Sequence, residues 1–293
     1  FKVNDVVRIT KRYDETSQIY KRMSNEDNQK CIYMYGWTKL LYSLLVASDY
    51  YATSEFMNGI KSTDYGEIKD IDNIDKIYRE SVVQQSIKTY KENIYPMPDE
   101  KLKYTNDINN LRSEMYLDAE KELLNNLDMN LFYLEAPTGS GKSNTAMNLS
   151  FKLIKNCSDI NKILYIYPYN TLVEQNISSM ENIFGGNKKI MSQIAVVNSI
   201  NPYKNKLNNS EDENMIDKDY QRILLDRQFL NYPIILSTHV TLFNTLFNNK
   251  KEDVFGFHQI CNSVIVMDEI QTYKNSLWGE IVTFLNAYAR LFN

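Results

Sequence analysis

Cysteine is scarce and scattered: Cys31, Cys157 and Cys261 are far apart and odd in number. That excludes a disulfide framework and a cysteine metal knuckle, and it points to a reducing, cytoplasmic setting. Histidine is scarcer still. With only His239 and His258 present, a histidine-rich di-metal site cannot be assembled from this chain. An excess of positive charge is also missing, since 33 basic residues face 37 acidic ones for a net charge of -4. Nucleic-acid binding through overall charge is therefore excluded, and any such contact has to come from a local groove. No signal-peptide architecture opens the sequence, and the most apolar segments are too short or too interrupted to span a bilayer, so no membrane contact is expected. There is no internal repeat.

What is present is the composition of an ordinary globular protein, 43% hydrophobic and 24% charged over 293 residues, with room for one large or two smaller domains. Position 1 is Phe, and residues 276–293 stop inside an amphipathic helical pattern; the chain reads as an excerpt of a longer polypeptide.

The most informative stretch is Leu131 to Asn148, LFYLEAPTGSGKSNTAMN. Leu131, Phe132, Tyr133 and Leu134 read as a buried parallel strand that breaks into a turn, Ala136 to Gly141, ahead of a helix. Gly139 and Gly141 let the backbone curl close to an anion, so that N–H groups and the helix N-terminus converge on one place. Lys142 is placed to reach terminal phosphates, and the Ser143 hydroxyl to ligate Mg2+. Thr138, Gly139, Ser140, Gly141, Lys142 and Ser143 thus form a candidate cradle for ATP with Mg2+. The strict pattern opens on Gly where this chain has Ala136, which is small enough for the turn. The plain alternative is a chance glycine turn before a surface helix.

A second stretch, SVIVMDEIQ, places Asp268 at the C-terminal end of a hydrophobic strand, where a second Mg2+ contact belongs. Glu269 beside it can orient and deprotonate a water for in-line attack on a γ-phosphate. Gln271 is placed to sense the phosphate state. The plain reading is that both acids simply leave the strand for solvent.

Around these two stretches, strands are expected at Lys162–Pro168, Ile194–Asn198, Pro233–Ser237 and Ser263–Met267, with helices at Asn170–Phe184 and His239–Phe247. Such alternation implies a parallel sheet covered by helices on both faces. Residues 201–220, rich in Asn, Lys, Asp and Glu, look like a solvated insertion. Upstream, residues 31–60 read as a buried helix with Asp49 at its polar end, and Ile77–Lys91 as a further helix. Pro96–Glu100 punctuates the chain near a domain boundary. A helix then presents Leu111, Met115, Ala119 and Leu123 on one face, toward the first strand.

Ala136-Pro-Thr-Gly-Ser-Gly-Lys-Ser143 and Asp268-Glu-Ile-Gln271 resemble motifs I and II of superfamily 2 helicases, and Tyr167-Pro-Tyr-Asn-Thr-Leu-Val-Glu-Gln175 resembles motif Ia. Together with STHVTLFNTLF and LLYSLLVASDYYATSEF, the set is similar to the CRISPR-associated helicase-nucleases of type I systems, antiviral enzymes in which an HD phosphohydrolase domain precedes two RecA-like domains. The resemblance implies an α/β fold, a RecA-like P-loop sheet sandwiched by helices, preceded by an all-α segment from the end of an HD domain. Residues 1–95 would be that segment plus a linker, and residues 96–293 the first RecA-like domain.

The implied activity is ATP-dependent translocation on single-stranded DNA, with a crRNA-guided surveillance complex as partner. A divalent transition metal is implied only at the HD site of the full protein. Asp49, by context alone a cap or a solvated acid, matches the last metal-ligand Asp of that site. Its co-ligands have no counterpart here, so no nuclease activity is expected of this chain. The implied DNA contacts are Tyr169, Asn170 and Thr171 together with Ser237 and Thr238, where the alternative for Asn170 and Thr171 is a helix cap. Many relatives have Thr-x-Asp-Gln where this chain has Thr238-His-Val-Thr241, and His239 is expected to be a buried structural histidine. Without the second RecA-like domain, which normally supplies arginine fingers, this stretch is expected to bind nucleotide and hydrolyse it feebly. Another superfamily 2 translocase, or a nucleotide-gated binding module without hydrolysis, remains open as an alternative.

Overall fold

The computed structural model of the chain describes residues 26–59, 64–197, 226, 229–273 and 278–292; the insertion expected over 201–220 lies outside them. In chain order the helices are α1 (Glu26–Asn58), α2 (Ile71–Arg79), α3 (Val82–Asn93), α4 (Asp99–Tyr104), α5 (Ile108–Leu124), α6 (Lys142–Asn156), α7 (Asn170–Phe184), α8 (Lys188–Met191), α9 (His239–Phe247), α10 (Lys251–Val254) and α11 (Trp278–Phe292). The strands are β1 (Lys162–Tyr167), β2 (Ile194–Val197), β3 (Ile234–Thr238) and β4 (Ser263–Met267). They form a parallel sheet in the order β2-β3-β1-β4. The strands are continuous apolar runs because both faces are covered. Along β1, Ile163, Tyr165 and Tyr167 pack under α2, α6 and α7, while Leu164 and Ile166 pack under α9 and α11. This is the helix-sandwiched parallel sheet expected of a RecA-like domain.

Four expectations change. Leu131–Leu134 is not a strand: the run is half-buried and pairs with no strand of the described sheet. An extended run becomes a strand only by sharing a ladder, and among the described residues β4 is bonded on one side only, to β1. Helix α1 is buried on one face rather than throughout. Its 3.6-residue period sends Ile32, Ser43, Val46 and Ala47 into the molecule and leaves Met34, Trp37, Leu41 and Leu45 exposed. It also continues to Asn58, so Asp49 sits within the helix rather than at its end, and is exposed.

The single helix expected at Ile77–Lys91 is two, α2 and α3, broken at Glu80 and Ser81. Helix α5 is rotated from the expected face. Ala119 and Leu123 are buried as expected, but Leu111 is exposed and Glu114, Tyr116 and Glu120 are buried. The two acids tolerate burial because each is bonded: Glu114 accepts from the Tyr90 hydroxyl (2.6 Å) and the Met97 N–H (3.0 Å), and Glu120 from Asn148 Nδ2 (2.7 Å).

Candidate active site

Three chain segments that leave the C-terminal edge of the sheet carry the motif residues. In a parallel sheet with helices on both faces, strand ends at this edge are where loops can converge on a ligand. Strand β1 leads to Tyr169 and α7, β3 leads straight into α9, and β4 leads to Asp268 and Glu269. The phosphate loop reaches the same edge from outside the sheet, at the start of α6, which packs beside β4.

The loop has the curl its glycines suggest. Gly139 and Gly141 take left-handed φ values of 77° and 90°, and Gly141 caps α6. Open space surrounds Gly141 where a side chain would project. Lys142 Nζ donates to the Ala136 carbonyl at 3.1 Å, lying back across the loop. Ser140 Oγ is buried without a hydrogen-bond partner. An orphaned hydroxyl, N–H groups at the head of a 15-residue helix and a nearby ammonium suit a phosphate chain.

Arg112 is a residue the sequence did not single out. From α5 its Nε donates to the Gly139 carbonyl at 2.8 Å, while Nη1 bonds Asn109 Oδ1 at 3.2 Å. It fixes the crest of the loop. A lone Arg in the polar stretch INNLRSEM carries no signal that it would fold back onto a turn 27 residues later.

Asp268 extends the ladder one residue past β4, its N–H donating to the Ile166 carbonyl at 2.9 Å. Burial pushes its carboxyl above the usual carboxylate range, while the Glu269 N–H and the charge of Lys142 act in the opposite direction. The charges of Lys142 and Asp268 thus act on each other, across α6 packed beside β4. Glu269 has φ of 50°, a conformation costly for a residue with a Cβ. The strain is held by its own N–H on Asp268 Oδ1 (2.9 Å) and by Thr272, whose N–H and hydroxyl both donate to the Glu269 carbonyl (2.9 and 2.8 Å). Gln271 Nε2 donates to the Glu269 carboxylate, so it orients that acid.

The expected nucleic-acid residues fall on the adjacent strands β1 and β3, which run in register from Ile163 with Ile234 to Tyr167 with Thr238. Tyr169 is 60% exposed and Thr171 is exposed at the first turn of α7. Thr238 is the N-cap residue of α9, buried, with its hydroxyl 3.4 Å from that of Thr241. Ser237 is buried and its hydroxyl donates to the Val197 carbonyl, so its side chain is already used inside the sheet. His239 is half-buried, with its ring edge-on to Phe243. Asp49 lies on the exposed side of α1, and the described residues contain no group of three or more His, Cys, Asp or Glu that could hold a metal.

No helix among the described residues is long and apolar enough to cross a membrane. A search of curated proteins returned no match. The family model described as DEAD/DEAH box helicase matches residues 117–290, which takes in the glycine loop, the four strands of the described residues and the Asp268-Glu269 pair. More than half the chain carries that match, and it belongs to the DEAD/DEAH box helicase family, whose members use ATP and Mg2+ to work on nucleic acid.

Proposed function

We propose that this chain is the first motor domain of a translocase that moves along single-stranded DNA, in a helicase-nuclease of the kind that serves type I CRISPR interference. The observation that carries the motor reading is that α6, capped by the left-handed Gly141 of the glycine loop, packs beside β4, the strand that ends at Asp268 and Glu269, on the sheet whose other strands lead to the helix starts at Tyr169 and Thr238. In this reading Thr138 to Ser143 hold the triphosphate. Ser143 and Asp268 hold Mg2+, which when bound neutralises charge on the transferring phosphoryl group. Glu269, aimed by Gln271, takes the proton of the attacking water.

Tyr169, Asn170, Thr171 and Thr238 hold successive phosphates of one strand through hydroxyls and backbone amides, a sequence-independent grip. Ser237 contributes through its place in the turn, because its hydroxyl is committed to Val197. The DNA substrate, the surveillance-complex partner and the assignment of residues 1–95 to the tail of an HD domain, with Asp49 as its last metal ligand, rest on the resemblance of YPYNTLVEQ, STHVTLFNTLF and MDEIQ preceded by LLYSLLVASDYYATSEF, the stretch that contains Asp49.

The test, on a polypeptide that joins this domain to a second RecA-like domain, compares nucleotide hydrolysis with single-stranded DNA, duplex DNA and single-stranded RNA of equal length; this chain by itself should bind nucleotide and hydrolyse it feebly. Stimulation by single-stranded DNA alone is expected, and it should rise further when the DNA is opened by a crRNA-guided complex. Glu269→Gln should lower hydrolysis on the order of 100-fold or more while leaving nucleotide bound, since it removes the proton acceptor and keeps the shape. Stimulation by RNA and not DNA would assign the motor to another substrate. Wild-type hydrolysis no faster than that of Glu269→Gln would leave only a nucleotide-gated binding module.

A further inference from the structure

Helix α2, residues 71–79, lies outside the stretch that matches the helicase family, yet it grips the phosphate-loop helix. One polar stripe runs along α6 at helical spacing, Asn144, Asn148, Lys152 and Lys155. Every member is bonded to α2 or α5. The Tyr78 hydroxyl donates to Asn144 at both its carbonyl (3.0 Å) and its Oδ1 (2.8 Å). Arg79 Nη2 donates to Asn148 Oδ1 (2.6 Å), and Asn148 Nδ2 donates to Glu120 (2.7 Å). Lys152 pairs with Glu120 (3.2 Å), and Lys155 with Asp75 (2.7 Å) and Asp72 (2.8 Å).

Arg79 is itself locked. Its Nε bonds Asp75 (3.1 Å), and its Nη1 bonds Gln84 (3.0 Å) and the Tyr116 hydroxyl (3.1 Å). Tyr78 and Asn148 are both 0% exposed. Tyr78, Arg79 and Asn148 are each bonded, and Gln84 Nε2 is the one buried side-chain atom of this network without a partner; so densely bonded a group transmits position rather than absorbing it.

The end of that network is one residue from Ser143. We propose that Tyr78 is a positioning residue for the nucleotide site: by holding Asn144 from outside the helicase core, it sets where Ser143 and Lys142 stand against a triphosphate and its metal. Arg79 and the stripe keep α6 from sliding along its axis or turning about it, and Tyr78 fixes its first turn. Helix α2, ahead of the family match, thereby becomes part of the ATP site, and whatever displaces it changes nucleotide affinity. The inference rests on the phosphate loop binding nucleotide as argued above.

The experiment measures affinity for a fluorescent ATP analogue, with Mg2+ and with EDTA, alongside thermal stability, on the intact polypeptide. Tyr78→Phe keeps the ring and removes the hydroxyl. It should weaken Mg2+-dependent binding roughly fivefold, the worth of about one hydrogen bond, with a smaller change in EDTA. Phe151→Leu disturbs the packing of the same ring, whose centroid is 5.3 Å from that of Tyr78, without touching Asn144. It should lower stability and leave affinity alone. Affinity unchanged in Tyr78→Phe, or altered equally in both variants, would overturn the positioning role. Lys142→Ala separates the two readings. If it binds as the wild type does, the phosphate-loop assignment fails and this inference with it; if it loses binding while Tyr78→Phe does not, only the inference fails.

Discussion

The two ends of the sheet are made by the same strands and carry similar side chains, and they do opposite things with them. At the N-terminal end, Lys162 opens β1 and its ammonium donates to the carbonyls of Leu230 (2.8 Å) and Tyr65 (3.3 Å) and to the Gln259 side chain. Gln259 bonds Asn231 Oδ1 (3.1 Å), and Asn231 Nδ2 bonds the Tyr51 hydroxyl (2.7 Å). Ser43 Oγ lies 2.9 Å from His258 Nδ1, a spacing that would suit a nucleophile and its base. Ser43 is 0% exposed, however, and it also donates to the Phe255 carbonyl (3.1 Å) and accepts the His258 N–H (3.1 Å).

Burial lowers Lys162 to about 7, with Glu67 and Asp64 acting the other way, and burial followed by the charge of Lys162 lowers His258 to about 4. Strongly shifted groups are a common sign of function. Here they mark a saturated structural hub. The C-terminal end holds the exposed glycines of the loop, the orphaned Ser140 hydroxyl and the strained Glu269. A site is recognised by unspent bonding capacity and retained strain beside an exposed loop, not by the density of polar groups or the size of their shifts.

The comparison can be broken most severely at its two left-handed glycines. Gly66 has φ of 73°, and a Cβ there would run into the backbone of Asn231 and Tyr232. Gly66→Ala should therefore destabilise the fold by about 4 kcal/mol or more, combining strain with a clash that backbone cannot relieve; denaturant unfolding measures it. Gly141, at 90° with open space around it, should tolerate Ala at a cost of about 1–2 kcal/mol. Its loss should appear in nucleotide affinity, read by the same fluorescent analogue.

The two lysines sharpen the contrast further. Lys142→Met should reduce nucleotide affinity on the order of 100-fold, the loss of charge-assisted contacts to phosphate, while melting temperature stays nearly constant. Lys162→Met should bind nucleotide normally and alter the pH dependence of stability. The sign follows from linkage. Between the folded value of about 7 and the ordinary 10.5, the unfolded chain holds a proton that the folded protein has released, so wild-type stability rises with pH across that window. Below it the buried ammonium is protonated in both states and its desolvation weighs fully against folding. Unfolding curves at pH 7 and 9 should show the rise in wild type and a smaller one in Lys162→Met; equal slopes would mean that this ammonium is not desolvated as the structure has it. The smallest effect belongs to Gln271→Ala, which frees the Glu269 carboxylate from its orienting amide. It should lower hydrolysis a few-fold and leave affinity intact, seen as a fall in kcat with constant KM.

Much of this was legible in the chain because the period of apolar residues is a local property. Asn170–Phe184, His239–Phe247 and Ser263–Met267 have the limits read from the sequence, and the curl at Gly139 and Gly141 ahead of a helix, like the acids following a strand, is where spacing put it. The misses were of one kind. Leu131–Leu134 has the residues of a strand, but strand formation depends on a neighbour that no local pattern specifies. The face of α5 was misjudged because Glu114 and Glu120 are buried against Tyr90, Asn148 and Lys152, partners that lie far along the chain. Helix α1 carries apolar residues on all sides, so its composition could not say which of them meet the sheet.

The sequence by itself determined the chemistry: a curled glycine loop with its lysine, and two acids closing a buried strand. Both are set by residues adjacent in the chain, whose backbone freedom and charge need no context. Only the tertiary structure decided which polar groups remain available. It spent Ser237, Ser43, His258 and Lys162 inside the fold, and it brought Arg112 and Tyr78 onto the phosphate loop and its helix. Hydrogen-bond capacity is used up by whichever donors and acceptors packing places within reach, and that depends on contacts between residues far apart in sequence.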